Sequence, residues 1–409
     1  MTTLKAFNAL RPPNDRAAEI SGPPYDVIST DEARAIVAAN DVSFVRISRP
    51  EVNLEPGVKG DSDEVHQMGR TMLEDYVKRG LLVLDDIPVL LVYRQKWRGA
   101  VQTGIVGCAS AEEYQQGLIA THEHTRADKE NDRTTHINTF GAHDEPVFLM
   151  YRDDAPGAAD VATAIATVTA GEPDVDFTTD DGVTHTLWVV SEDAAKGALE
   201  GGFAQMPKLY VADGHHRSAA AARVWNERGS GEAELFPVVV FPAGDLTVLD
   251  YNRVVRDLNG RNAAEYLDAV AERFSVTPVE SAPQPKLHEF GMYLDGSWHL
   301  LTAKPEIIDE DDPIARLDVA ILQDNLLDPL LGIDNPRTNE RIAFVGGIRG
   351  SAELEKLVNS GEFAVAFQLH PTSPEEVMDV ADQGEVMPPK STWFEPKLAS
   401  GLFVHPFDL

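Results

Sequence analysis

Between Lys208 and Gly229 the chain runs KLYVA, then Asp213-Gly214-His215-His216-Arg217, then SAAAARVWNER. The first string reads as a short apolar strand and the last as an alanine-rich helix opened by Ser218, with a turn between them. A helix start presents backbone amides that lack internal partners and favour an anion. Gly214 lets the backbone approach that anion closely or take a positive φ. Arg217 offers a planar fork matched to phosphate oxygens, while His215 and His216 add donors that titrate near neutral pH. Asp213 can accept from a ligand hydroxyl, hold a metal ion or orient a histidine. The spacing predicts a phosphate turn, with Gly214, His215, Arg217 and Ser218 on the anion and Asp213 and His216 beside the reacting atoms. The competing reading is a capped turn whose histidines pack on their neighbours.

Three further strings carry polar chemistry. His122-Glu123-His124-Thr125 follows an apolar run. There Glu123 is suited to act as base toward a hydroxyl, with Lys129 and Arg133 offsetting charge on a transferring group. A zinc site from His122 and His124 with His136 or His143 is the weaker alternative, because no cysteine accompanies them, and no metal ligand is assigned. A surface loop with ordinary ion pairs is the third reading. In PPYDVI, residues 23–28, two prolines fix an extended backbone that presents Tyr25 and Asp26 to a substrate or simply braces a turn. In MPPKST, residues 387–392, Pro388 and Pro389 brace Lys390, Ser391 and Thr392. Lys390 and Thr392 are expected to reach the cavity of Gly214 and bind an anionic group of the substrate, with Trp393 and Phe394 buried as anchors.

The elements around these strings alternate helices with short apolar strands, the mark of a mixed α/β or α+β class. Ser29 and Glu32 have capping-box spacing, opening a helix to about Asn40. Val65, Met68, Met72, Leu73, Tyr76 and Val77 share one face of a helix over residues 63–79, which Gly80 ends. Strands are expected over residues 88–93, 102–108, 147–151, 184–190 and 236–241, and residues 122–143 read as a loop. Beyond residue 262 helices and strands alternate again, and Ser373 caps a helix with Pro374 at its first position. A soft boundary near residue 258 divides the chain into regions 1–258 and 259–409.

Length and charge narrow the function. A chain of 409 residues supports two or three cores, and 43% hydrophobic with 25% charged residues is an ordinary globular balance. No apolar stretch is long enough for a membrane span, no secretory signal opens the chain, and Cys108 is alone, which together point to the cytoplasm. A net charge of -32 argues against nucleic acid and anionic membrane as partners. A small-molecule substrate is the expected partner, and oligomeric state stays open.

The strand–turn–helix around Asp213 resembles the phosphate motif of the ParB/sulfiredoxin fold, and LYVADGHHRSAAAA resembles the family named domain of unknown function 1015. PPYDVI, HEHT with Lys129 and Asp132-Arg133, and MPPKSTWFEPKLASGL are similar to the same family. One departure is visible: Asp250-Tyr251-Asn252-Arg253 stands where the family carries a Thr-His-Arg string, so any role of that histidine is in doubt here. The resemblance implies a ParB/sulfiredoxin-like nucleotide-binding core over 1–258, elaborated by a second α/β region whose C-terminal segment returns to the site. The wider fold includes free-serine kinases, partition proteins and sulfiredoxin. Sulfiredoxin chemistry needs a cysteine in the turn, and the charge disfavours a DNA-binding or nuclease role. The resemblance therefore implies an ATP- or ADP-dependent phosphotransferase using Mg²⁺ on a small hydroxylated metabolite. A non-catalytic nucleotide or metabolite sensor is the alternative.

Overall fold

The structure, a computed structural model, describes residues 1–229 and 231–408. The chain is a mixed α/β protein whose two compact units are residues 1–246 with 396–409, and residues 247–395. The division falls at 246/247 rather than near 258, because the strand Tyr251–Val255 pairs with Ile342–Gly346 and Val365–Leu369 in the second unit's own sheet.

The first unit is built on an eight-stranded sheet. Its order is Ile119–Ala120, Leu209–Asp213, Val147–Tyr151, Leu235–Pro242, Ala100–Ser110, Leu90–Trp97, Thr184–Val190 and Val175–Thr178. Two of its pairings are parallel, Leu209–Asp213 with Ile119–Ala120 and Leu235–Pro242 with Val147–Tyr151. The central strands are buried on both faces, which is why VFLMY and LFPVVVFP read as unbroken apolar runs. Leu149, Val211, Val238 and Val240 share one core with Val161, Leu199 and Phe203 from the helices Ala158–Thr169 and Asp193–Phe203, and with Ala221 and Ala222. Cys108 lies fully buried on the strand Ala100–Ser110, where burial pushes its thiol up.

Residues 122–143, expected as a loop, instead carry the helix Ala127–Phe140. It is rich in charge and buries only Thr134, His136, Ile137 and Phe140, so it lacks the continuous apolar stripe that sequence periodicity detects. It packs against the helix His215–Arg228, where Ile137, Ala220 and Val224 form a small core.

The second unit holds a six-stranded, wholly antiparallel sheet: Phe274–Val279, Ser297–Ala303, Glu289–Leu294, Val365–Leu369, Tyr251–Val255 and Ile342–Gly346. Val254, Trp298, Leu354 and Phe363 centre its core. The expected capping box forms at Ser29 with Glu32, and the expected cap at Ser373, with Pro374 in the first turn, also closes as a box with Glu376. Among the described residues, no helix is long and apolar enough to cross a membrane.

Candidate functional site

The strand Leu209–Asp213 does not run straight into its turn. Its pairing with Val147–Tyr151 shifts register between Val211 and Asp213, a bulge that re-aims Asp213 at the strand's end. Gly214 follows at φ 105°, a left-handed conformation, and starts the helix His215–Arg228 without a side-chain cap. A Cβ on Gly214 would lie 3.1 Å from the Arg217 guanidinium, so glycine is needed both for its φ and for the side chain folded over it.

Arg217 points inward. It is 9% exposed, donates from Nη1 to the Pro146 carbonyl, and lies 3.7 Å from Asp213. Asp213, Asp26, Tyr25 and Glu145 surround it, so that despite burial its guanidinium stays firmly charged. Asp213 meets a second cation that sequence reading did not select, Lys397, at 3.1 Å. Burial works against the Asp213 carboxylate, but Lys397 first and Arg217 next outweigh it and hold the carboxyl well below its usual range.

Behind the turn lies a cavity of about 10 Å³, room for one water-sized group, lined among others by Tyr25, Arg133, His136, Asp144, Glu145 and Arg217. His136 and Asp144 pair at 2.9 Å. Burial opposes the Asp144 charge, yet His136 and Arg133 keep the carboxyl below its ordinary value. Glu145 behaves oppositely: burial, then neighbouring Asp144, push it up to about 8, and it accepts a 2.6 Å bond from the Ser400 hydroxyl. Arg133 binds Asp132 and covers the Tyr25 ring at 4.5 Å; burial raises the Tyr25 phenol to about 12. The PPYDVI turn is tied by Arg49, which donates to the carbonyls of Tyr25 and Ile28 and leaves Asp26 exposed.

The histidines differ from expectation. His215 Nε2 accepts from the His122 amide at 3.4 Å and His216 Nε2 from the Arg126 amide at 3.0 Å. A ring nitrogen that accepts a backbone N–H carries no proton there, so each ring is neutral with its proton on Nδ1. Burial drives the same way, lowering His216 and taking His215 well below the ordinary histidine value. Through these bonds they order the 122–126 segment. Glu123, on that segment, is exposed with its carboxylate 3.9 Å from His215 Nδ1. Lys129 is exposed on the helix Ala127–Phe140, while Ser218 is fully buried with its hydroxyl on the Gly214 carbonyl.

The four histidines of the zinc alternative make separate contacts. His122 stands edge-on to His215, His136 holds Asp144, and His143 stacks on His405, while His124 lies exposed. Among the described residues, no group of three or more His, Cys, Asp or Glu could hold a metal ion.

Lys390 and Thr392 belong to the second unit. Lys390 takes φ 57° and sets its ammonium 5.6 Å from the Tyr251 ring centre, and the neighbouring Ser391 hydroxyl donates to Pro388. Asn252, standing at the departure from the family string, is buried and accepts from the Leu369 amide. Sequence reading missed Asp144, Glu145, Lys397 and Ser400. The two adjacent acids in HDEP, just before a fully apolar strand, were the available signal for the first pair.

The family model described as "Protein of unknown function (DUF1015)" matches residues 4–320. No curated protein matches the chain. Among solved structures, a free serine kinase in complex with AMP is 14% identical, with a TM-score of 0.34 and coverage of 71% of this chain and 86% of that one. A conserved hypothetical protein from Pyrococcus furiosus is 15% identical, with a TM-score of 0.33 and coverage of 71% and 90%. SbnI with C-terminal truncation from Staphylococcus aureus is 10% identical, with a TM-score of 0.38 and coverage of 71% and 82%. Similarities this weak carry no inference about activity.

Proposed function

Since the chain belongs to the DUF1015 family of proteins of unknown function, we propose, from its own site, that it is a nucleotide-dependent phosphotransferase acting on a small hydroxylated metabolite. The observation that carries this reading is the Asp213–Arg217 turn, where a bulged strand end, a left-handed glycine and an uncapped 14-residue helix meet two cations. Such a helix start favours a phosphate group, and flanking cations add charge-assisted bonds.

In this reading ATP or ADP binds with its phosphates at Gly214. Glu123, solvent-accessible beside the neutral His215, takes the proton of the acceptor hydroxyl. Lys129, on the neighbouring helix, offsets charge on the transferring group. Mg²⁺, if it arrives with the nucleotide, would neutralise phosphate charge, and Asp213 is the carboxylate at the turn that could meet it. Arg217 and Arg133 act from behind, holding the carboxylates and Tyr25 in place.

The test is a thermal-shift titration with ATP and ADP, with and without Mg²⁺, followed by phosphoryl-transfer assays on hydroxylated metabolites, free serine among them. A nucleotide at about a hundredfold its Kd should stabilise the fold by about 2.7 kcal/mol. Binding without transfer to any acceptor would turn the reading to a nucleotide sensor. No stabilisation by either nucleotide would refute it.

A further inference from the structure

Arg253 lies in the middle of the strand Tyr251–Val255, which the second unit's sheet holds between Ile342–Gly346 and Val365–Leu369. It stands opposite Phe344 on one neighbour and Phe367 on the other, so the three side chains share one face of the sheet. The residue is 3% exposed. Its guanidinium donates from Nη1 to the Tyr251 carbonyl and from Nη2 to the Pro389 carbonyl at 3.4 Å, and covers the Phe344 ring at 5.4 Å. Burial, opposed only by the Tyr251 phenol, lowers it to about 10. Arg217 in the first unit is the contrast, for it too is buried, but Asp213 and other carboxylates keep it charged. A buried charge without a counter-charge is costly.

A second cation stands on the same face. Tyr251 opposes Gly346, where a Cβ would lie 2.6 Å from the Trp393 ring. Glycine there lets Trp393 lie against the strand, edge-on to Tyr251 at 5.1 Å. The Lys390 ammonium is 5.6 Å from the centre of that same Tyr251 ring. Lys390 follows Pro389 directly, is exposed, and holds a left-handed φ of 57°. Ser391 braces this conformation: its hydroxyl donates to the Pro388 carbonyl, and its own carbonyl accepts from the Thr372 hydroxyl. A residue with a long side chain is strained at such a φ, and strain of this kind gathers at ligand sites. The acids beside these residues in the chain are engaged, Asp250 accepting from Asn252 and Glu395 from the Trp393 indole. Among the described residues, neither Arg253 nor Lys390 forms an ion pair.

We propose that Arg253 and Lys390 form an oxyanion-binding site in the second unit, one that holds the carboxylate or phosphate of a small metabolite. The Pro389 carbonyl, a long bond at 3.4 Å, yields its place on Arg253 Nη2 to the anion. Lys390, next in the chain, meets the same anion from the exposed side. An anion so placed supplies the counter-charge that Arg253 lacks, and the planar fork suits two of its oxygens. The site goes beyond the phosphotransferase reading and stands without it, because its residues all belong to the second unit.

The experiment melts the full chain in rising sodium phosphate and, separately, sodium succinate, each against sodium chloride of equal ionic strength. The wild type should gain stability saturably in at least one of the two. Saturation in phosphate alone assigns a phosphate ligand, and saturation in succinate alone a carboxylate. Arg253→Met should lose the response, and Lys390→Met should raise the half-saturating concentration by about tenfold. If Arg253→Met does not fold, Arg253→Lys, which keeps the charge without the fork, is melted in its place and should need about tenfold more anion. No response in the wild type would overturn the site. So would a response that survives unchanged in the Arg253 variant, since it would arise elsewhere in the chain. An unchanged response in Lys390→Met would overturn the part given to Lys390. No nucleotide enters these melts, so their failure is distinct from a failure of ADP to bind.

Discussion

Replacing Glu145 with glutamine should stabilise the protein, and by more as pH rises. The carboxyl is 7% exposed, beside Asp144, and its ionisation in the folded state moves from an ordinary 4.5 to about 8. A carboxyl with a raised folded value is favourable or neutral to folding while protonated. Its contribution is intact below its unfolded value and is lost as pH rises through the folded one. The penalty for that one group is roughly 1 kcal/mol near pH 5, about 3 kcal/mol at pH 7 and about 5 kcal/mol near pH 9, as ceilings. Glutamine keeps the acceptor for the Ser400 hydroxyl but never ionises, so it removes the penalty. Urea unfolding followed by far-UV circular dichroism should give nearly coincident curves near pH 5 and a variant more stable by about 2–4 kcal/mol near pH 8. A variant less stable than wild type near pH 8 would refute the reasoning, because Glu145 would then be an ionised partner of Arg217 rather than a held proton.

The buried histidines act in the opposite direction. His122, His185 and His405 fall to about 4 and His143 to about 3, chiefly through burial, so they are neutral in the fold. Bases so depressed contribute stability that is complete above about pH 6.5 and is lost as pH falls toward their folded values. Urea midpoints should therefore drop steeply between about pH 6 and pH 4, and a flat profile there would contradict their burial. Gly214→Ala should destabilise by roughly 1–3 kcal/mol through its left-handed φ and the encroachment on Arg217, and should also weaken ADP binding. A variant with unchanged melting temperature and ADP affinity would show that the turn tolerates a side chain.

Local signals were legible in the amino-acid string, and pairings across long separations were not. The strands Val147–Tyr151 and Thr184–Val190 lie where their apolar runs end, and Ser29 and Ser373 cap as their spacing requires. The helix Ala127–Phe140 escaped because its buried face is made of His, Thr and two apolar side chains; its acidic first turn and the left-handed Gly141 at its end were the usable marks. In the site, the turn itself was readable from composition. What its side chains do was not, since that depends on partners remote in sequence. Asp213 meets Lys397 across 184 positions and Glu145 meets Ser400 across 255. His215 and His216 become acceptors only because amides some 90 positions earlier are brought to them. Nothing local distinguishes Lys397 from Lys390 in the string MPPKSTWFEPK, and both have a proline close before them.

The return of residues 396–409 to the first unit has a consequence for synthesis. Everything else that builds the turn, from Tyr25 to Arg217, leaves the ribosome before the second unit is made, but Lys397 and Ser400 follow it. At typical translation speeds residues 247–395 take roughly 7–30 s to make. During that interval the nascent first unit holds Asp213 without its ammonium partner and lacks the strand ties at Gly22, Leu10 and His143. Thr247 and Glu395 are paired across one short ladder, so the second unit enters and leaves at neighbouring points. Residues 396–409, which complete the first unit, are made only after it. Synthesis of the second unit thus sets when Asp213 can meet Lys397, and a chain that stalls within it would leave Asp213 with Arg217 alone of the two.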